Sequence, residues 1–129
     1  MGAHWSDAYV GKPYVKDTLN CGGWANVVQR EVFGRDLNLP TAEGTGPHAA
    51  SATIKRLKDD YAERTDDPRD GDGVIMIGRG GLDHVGVYCL IHGEPWVLHA
   101  MKRVGQVVRT RLWELPNIGL KVEGFYQWK

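Results

Sequence analysis

The stretch Asn20-Cys21-Gly22-Gly23-Trp24-Ala25-Asn26-Val27-Val28-Gln29-Arg30-Glu31-Val32-Phe33 decides how the rest of the chain reads. Trp24, Val28 and Val32 recur at helical spacing on the same stripe as Cys21, which predicts an amphipathic helix with the cysteine in its first turn. Gly34 follows as the stop, because a residue without Cβ closes a helix C-terminus in the left-handed conformation at no steric cost. A thiol in the first turn has a chemical use. The orphan N–H groups and positive dipole end of a helix favour an anion, so a thiolate is stabilised there. Burial of the stripe turns the sulfur inward, and Gly22 and Gly23, poor helix formers, let another backbone come close to it.

The rest of the composition sets few constraints. A chain of 129 residues with 42% hydrophobic content reads as a single domain over residues 1–129, large enough for one core and too short for two. Acidic and basic residues balance at 16 each without a basic block, which argues against nucleic acid or an anionic membrane as the partner. No run approaches the roughly 20 apolar residues of a membrane span, and Met1-Gly2-Ala3-His4-Trp5-Ser6-Asp7 has neither the positive nor the apolar region of a signal peptide. Synthesis in the cytoplasm without a signal is the expectation, with delivery by other means if the protein acts outside. Cys21 and Cys89 are not expected to pair, since the chain is not cysteine-dense and shows no secretion signal. Cys89, inside Val85-Gly86-Val87-Tyr88-Cys89-Leu90-Ile91, reads as a small buried hydrophobe.

Upstream of the cysteine, Ser6 is expected to cap a short helical turn, and Gly11-Lys12-Pro13-Tyr14 turns the chain back towards Cys21. Residues 35–47, rich in Gly, Pro, Thr and Asn, read as a surface loop that forms one wall of a cleft. A second helix is expected from Pro47 to about Arg64, with Ala50, Ile54, Leu57 and Tyr61 as its packing stripe. The acidic run Thr65-Asp66-Asp67-Pro68-Arg69-Asp70-Gly71-Asp72-Gly73 reads as a solvated turn, because no glutamate closes it as a calcium loop would require. Strands are expected at Val74–Ile77, His84–Ile91, Trp96–Met101, Gln106–Thr110 and Lys121–Trp128, separated by Gly-, Asp- and Pro-rich turns. Helices first and an antiparallel sheet of about five strands second make an α+β domain.

Within that meander His84 and His99 lie on adjacent strands joined by His92-Gly93-Glu94-Pro95. If Gly86 faces His99, the two histidines share a face as diagonal neighbours about 7–8 Å apart between Cα atoms, and the missing side chain at Gly86 leaves His99 room to lean over. A one-residue slip would put them on opposite faces. Cys21, His84 and His99 can then supply the three parts of nucleophilic acyl transfer: a thiol, an imidazole that takes and returns its proton, and a polar group that orients the imidazole. A backbone N–H at the helix head would donate to the oxyanion, with Tyr14 as a second donor. Each residue also has a plainer role. A cysteine in an apolar stripe is commonly core, a strand histidine is commonly a satisfied polar residue, and His4, His48 and His92 are left at that. One cysteine and two histidines are a conceivable zinc set, although they lack short-range ligand spacing. Trp24, Trp96 and Trp128 fall in elements that must bury a face, so core is their default.

Taken together, these stretches resemble the NlpC-type cysteine peptidases that cut bacterial cell-wall peptides. Gly11-Lys12-Pro13-Tyr14 resembles the family's G-x-P-Y segment, Asn20-Cys21-Gly22-Gly23-Trp24 its D-C-S-G-aromatic nucleophile motif, and Gly71-Asp72-Gly73-Val74 its G-D-hydrophobic strand start. His84-Val85-Gly86-Val87-Tyr88 matches H-V-G-I-Y, and Val97-Leu98-His99-Ala100 the strand of the third catalytic residue. The resemblance implies a papain-like fold and cleavage of an amide next to γ-D-glutamate in peptidoglycan stem peptides. It implies Cys21 as nucleophile, His84 as base and His99 as orienting residue. Tyr14, Asn20 and Gly22 fall at substrate or oxyanion positions, and neither metal nor cofactor is implied. Arg30-Glu31-Val32-Phe33-Gly34 with Asp36-Leu37-Asn38-Leu39-Pro40 looks like the bacteriophage tail branch, whose members are delivered by the particle and have tail proteins as partners. Asn20 and Gly22 stand where the family usually has Asp and Ser, a charge and a hydroxyl that commonly help hold the substrate's free amine. An amidase of the related CHAP group, or a silent wall-binding or tail structural domain, are the alternative readings.

Overall fold

Helix α1 runs Cys21–Phe33 in the computed structural model, which describes residues 3–45, 48–78 and 81–129. Asn20, in extended conformation, caps it by accepting a hydrogen bond from Gly23 N at 3.0 Å, and Gly34 ends it at φ 67°. Burial centres on Ala25 and Val28, 1% and 0% exposed, with Cys21, Trp24 and Val32 packed at the margin. The buried line is thus turned slightly from the one expected. Trp24 sends Nε1 out to Pro13 O at 2.9 Å, while Gln29 is drawn inward to donate to Gly71 O at 2.8 Å. The two glycines do admit a close backbone. A Cβ at Gly23 would lie 1.9 Å from Thr18 O, and one at Gly22 would lie 2.9 Å from Pro40 O. Gly23→Ala is therefore expected to cost at least about 2 kcal/mol by overpacking, read as a lower urea midpoint at unchanged m-value; a midpoint within error of the parent would contradict it.

Six antiparallel strands form one sheet in the order β1-β6-β2-β3-β4-β5. They are β1 Ala62–Thr65, β2 Gly73–Gly78, β3 Gly81–Ile91, β4 Glu94–Met101, β5 Gln106–Arg111 and β6 Lys121–Trp128. Together with the helices they make a mixed α+β architecture. The last five strands are those expected; β1 is new and corrects the expected end of the second helix. Helix α2 spans Ala49–Tyr61, after which Ala62, 5% exposed, enters the sheet opposite Trp128 and Thr65 ends opposite Phe125. Pairing there covers backbone groups that β6 would otherwise leave at an open edge. The expected start of this helix, Pro47, lies outside the described residues. Its stripe packs as expected through Ile54 and Leu57, 4% and 0% exposed.

Both faces of the sheet are covered at its centre, which is why β2, β3 and much of β4 read as nearly continuous apolar runs. Ala25, Val28, Ile54 and Leu57 of the two helices pack on Val85, Val87, Cys89, Leu98, Ala100 and Val107. On the other face, Leu115 of the 3-10 helix Leu112–Ile118 joins Val74, Met76, Tyr88 and Val97. Cys89 is a core thiol, 0% exposed, and Trp24, Trp96 and Trp128 are partly buried against the first core. The β3–β4 connection is tighter than expected: His92 and Gly93 alone turn it, at φ 51° and 78°, the two left-handed residues of a hairpin that keeps the strands' natural twist.

The N-terminal segment is tied to this frame at three places. His4, not Ser6, caps the 3-10 helix Trp5–Ala8, its Nδ1 accepting from Ser6 N at 3.1 Å. Ser6 is buried beneath and accepts instead from Arg109 Nη1 at 2.7 Å. Asp70 of the acidic turn accepts from Leu90 N at 2.8 Å and Trp5 Nε1 at 2.7 Å, and it pairs with His4 Nε2 at 3.0 Å. Further on, residues 11–14 lie along the outer edge of β5: Gly11 N donates to Val107 O, Val107 N to Lys12 O and Tyr14 N to Gly105 O, at 2.9, 2.8 and 3.0 Å.

Candidate active site

The β3–β4 register pairs Val87 with Leu98, which carries Gly86 opposite His99 and leaves His84 one pleat further along the same face. Their rings meet nearly edge to face, centroids 4.9 Å apart at 80°. His84 Nε2 and His99 Nδ1 share a hydrogen bond of 2.7 Å, and His99 Nε2 continues to Thr110 Oγ1 at 3.0 Å. The expected convergence of the two rings is present. A Cβ at Gly86 would meet Val97 Cγ1 at 2.5 Å, Leu98 O at 3.0 Å and Met76 Cε at 3.1 Å, so only glycine fits there. Thr110, at the end of the relay, was not expected; it sits on β5 opposite Val97.

Burial governs the protonation of this pair. It pushes His84 down to about 4, and it pushes His99, 2% exposed, well below the ordinary histidine range, with the neighbouring His84 adding to the effect. Both rings are therefore neutral at pH 7. The chain is continuous in either direction; in one tautomer set His84 Nε2–H donates to His99 Nδ1 and His99 Nε2–H donates to Thr110 Oγ1. In that set His84 Nδ1 is the basic nitrogen.

Cys21 and His84 line one cleft of about 840 Å³, together with Tyr14, Asn20, Gly22 and Glu43. The cleft lies where β2 ends, β3 begins and β4 ends, and the head of α1 opens onto it. The loop after α1 forms one wall through Pro40, Thr41, Ala42 and Glu43, as expected, and the β4–β5 turn contributes Lys102 and Arg103. His99 stands behind His84, and with Cys21 it borders a narrow crevice between α1 and the sheet.

Glu43 organises the wall beside the cysteine. Its Oε2 accepts from Tyr14 Oη at 2.8 Å, Asp17 N at 3.0 Å and Asn20 Nδ2 at 3.1 Å. Burial works to raise the Glu43 pKa, but the Asp17 N–H, the Asn20 amide, the Tyr14 hydroxyl and Lys102 outweigh it, so the carboxyl lies below its usual range. The same contact, after burial, pushes the Tyr14 phenol up. Asn20 also donates to Thr41 O at 2.6 Å while its Oδ1 holds Gly23 N. Tyr14 and Asn20 thus sit at the cleft, but their donors are directed to Glu43 and Thr41, not to an oxyanion. The main chain at the head of α1 is the donor left for that task, since an α-helix gives the Gly22 N–H of its first turn no internal acceptor. Glu43 carries no signal in the sequence, because its partners come from a different segment. Among the described residues no group of three or more His, Cys, Asp or Glu is placed to hold a metal, and none of the described helices is long and apolar enough to cross a membrane.

Comparison with known proteins finds no family model that matches the chain and no curated protein or solved structure significantly similar to it.

Proposed function

We propose that the chain is a papain-like cysteine hydrolase of the NlpC type that cleaves an amide in peptidoglycan stem peptides, next to γ-D-glutamate, through Cys21, His84 and His99. The observation that carries this reading is the His84–His99 hydrogen bond of 2.7 Å behind a cleft that His84 and Cys21 line together. His84 Nδ1 takes the thiol proton as Cys21 Sγ attacks the carbonyl carbon, and the first-turn main chain of α1 receives the oxyanion. The C–N bond then breaks as His84 returns that proton to the leaving amine, which leaves a thioester. Water, giving its proton to His84, attacks the thioester, and the acid departs as Cys21 recovers its proton. His99 keeps the His84 ring in the tautomer that each step requires.

Digestion of defined stem peptides, with the products weighed, tests the reading. The expected result is fragments that end at γ-D-glutamate together with new amino termini. Release of intact peptide from the glycan would assign an amidase instead. Intact substrates together with slow alkylation of Cys21 by iodoacetamide near neutral pH would overturn both enzyme readings, since an activated thiolate alkylates quickly.

A further inference from the structure

We infer that Thr110 is a positioning residue of the site: its hydroxyl accepts from His99 Nε2, and that acceptance decides which nitrogen of His84 is left to take the proton of Cys21. The inference rests on the proposed hydrolase reading for the proton transfer, and on geometry for the relay. Across β4 and β5, His99 faces Val108 and Val97 faces Thr110. Thr110 is therefore the diagonal neighbour of His99 on one face of the sheet, as His84 is across β3 and β4. Diagonal neighbours stay within reach of a large side chain, and the two steps close as hydrogen bonds of 2.7 and 3.0 Å. Branching at Cβ stiffens Thr110 at χ1 and holds Oγ1 in place.

Of the two directions that the relay allows, one serves the chemistry. Where Thr110 donates to His99 Nε2, His99 donates from Nδ1 to His84 Nε2, and the His84 proton occupies Nδ1, the nitrogen that the thiol proton must reach. Where Thr110 accepts, both rings carry their protons on Nε2, and His84 Nδ1 is open. The demand sharpens once His84 has taken the proton of Cys21. An imidazolium donates from both nitrogens, so its Nε2–H needs the lone pair of His99 Nδ1, which confines the His99 proton to Nε2. His99 is 2% exposed, and Thr110 Oγ1 is the partner of that nitrogen; a buried donor that loses its acceptor is costly. Thr110 itself is only half-buried. Water is within reach of its own hydrogen, which leaves its oxygen to accept.

The test reads the tautomers without turnover, by two-bond proton–nitrogen correlation spectra of protein labelled at its histidine nitrogens, near neutral pH. The parent is expected to carry the protons of His84 and His99 on Nε2. Thr110→Val keeps the shape and removes the oxygen; it is expected to move the His99 proton to Nδ1. It should also lower kcat roughly ten- to a hundredfold at little changed KM, since Thr110 does not line the cleft. Thr110→Ser, which keeps a hydroxyl, is expected to restore the parental tautomers and most of the parental kcat. A merely structural role would cost stability without moving the proton. A His99 proton on Nδ1 in the parent, parental tautomers in Thr110→Val, or equal losses in the two variants would overturn the assignment. Should Thr110→Val not fold, the parental spectrum and Thr110→Ser decide it. If the tautomers behave as expected while the parent cleaves no stem peptide, the hydrolase reading fails and the direction of the relay stands; cleavage with a kcat indifferent to Thr110→Val gives the reverse.

Discussion

Cys21→Ala is expected to remove hydrolysis of stem peptides almost completely, by roughly 10⁵- to 10⁶-fold in kcat, the scale on which loss of a nucleophile acts when the other members of its unit cannot substitute. The fold should be untouched. Cys21 sits at the margin of the first core and makes no part of its centre, and the cap of α1 depends on Asn20 and Gly23. Cys21→Ser is expected to fare little better, because His84 is held neutral and weakly basic by burial, and a serine hydroxyl surrenders its proton far less readily than a thiol. Assay of new amino termini alongside thermal unfolding distinguishes lost chemistry from lost structure. Either variant retaining more than about a hundredth of parental activity would be inconsistent with a thiol mechanism that supplies effects of this size.

The second large effect is expected at His99. His99→Ala removes the acceptor for His84 Nε2 and frees the ring to adopt the wrong tautomer, so kcat should fall by about 10²- to 10⁴-fold with little change in KM. His99 also leaves a mark on stability that a bystander would not. Folded, both rings are neutral; unfolded, each titrates near the ordinary value of 6.5. Between pH 6.5 and about 4 the unfolded chain therefore binds protons that the native chain does not. Stability from these groups is complete above the unfolded value and falls as the pH drops, at up to about 1.4 kcal/mol per pH unit for each ring. Below about 4 His84 protonates in the fold as well, and its contribution levels off. Urea unfolding at stepped pH is expected to show this slope in the parent and a shallower one in His99→Gln. Parallel slopes would mean that the rings are not held neutral by the fold.

What the chain discloses before folding is whatever its local chemistry decides. The cysteine helix is legible because Asn20, the stripe around Val28 and Gly34 are neighbours along the chain. The His84–His99 pairing is legible only as a condition on register: the sequence shows a tight connection over His92-Gly93-Glu94-Pro95, and the fold settles it by turning at His92 and Gly93 alone. Relations between distant segments are not. β1 exists because Ala62–Thr65 finds an open edge on β6, which nothing in Ala62-Glu63-Arg64-Thr65 announces. Thr110 joins the relay through the β4–β5 register, set by a turn at residues 102–105 that has no hairpin signature. Glu43 is recruited by Tyr14, Asp17 and Asn20 from a loop without periodicity. Asn20 and Tyr14 are visible as cleft residues, but their roles depend on that hidden partner.

The strip of chain at residues 11–14 gives the molecule an unusual economy. Its main chain zips along β5, shielding a border on which foreign strands would otherwise assemble, and its last side chain, Tyr14, reaches Glu43 in the cleft. Colloidal behaviour and the wall of the cleft therefore share one hinge. A change that peels this strip away is expected to make the protein sticky and to disorder that wall together, even with sulfur and imidazoles intact.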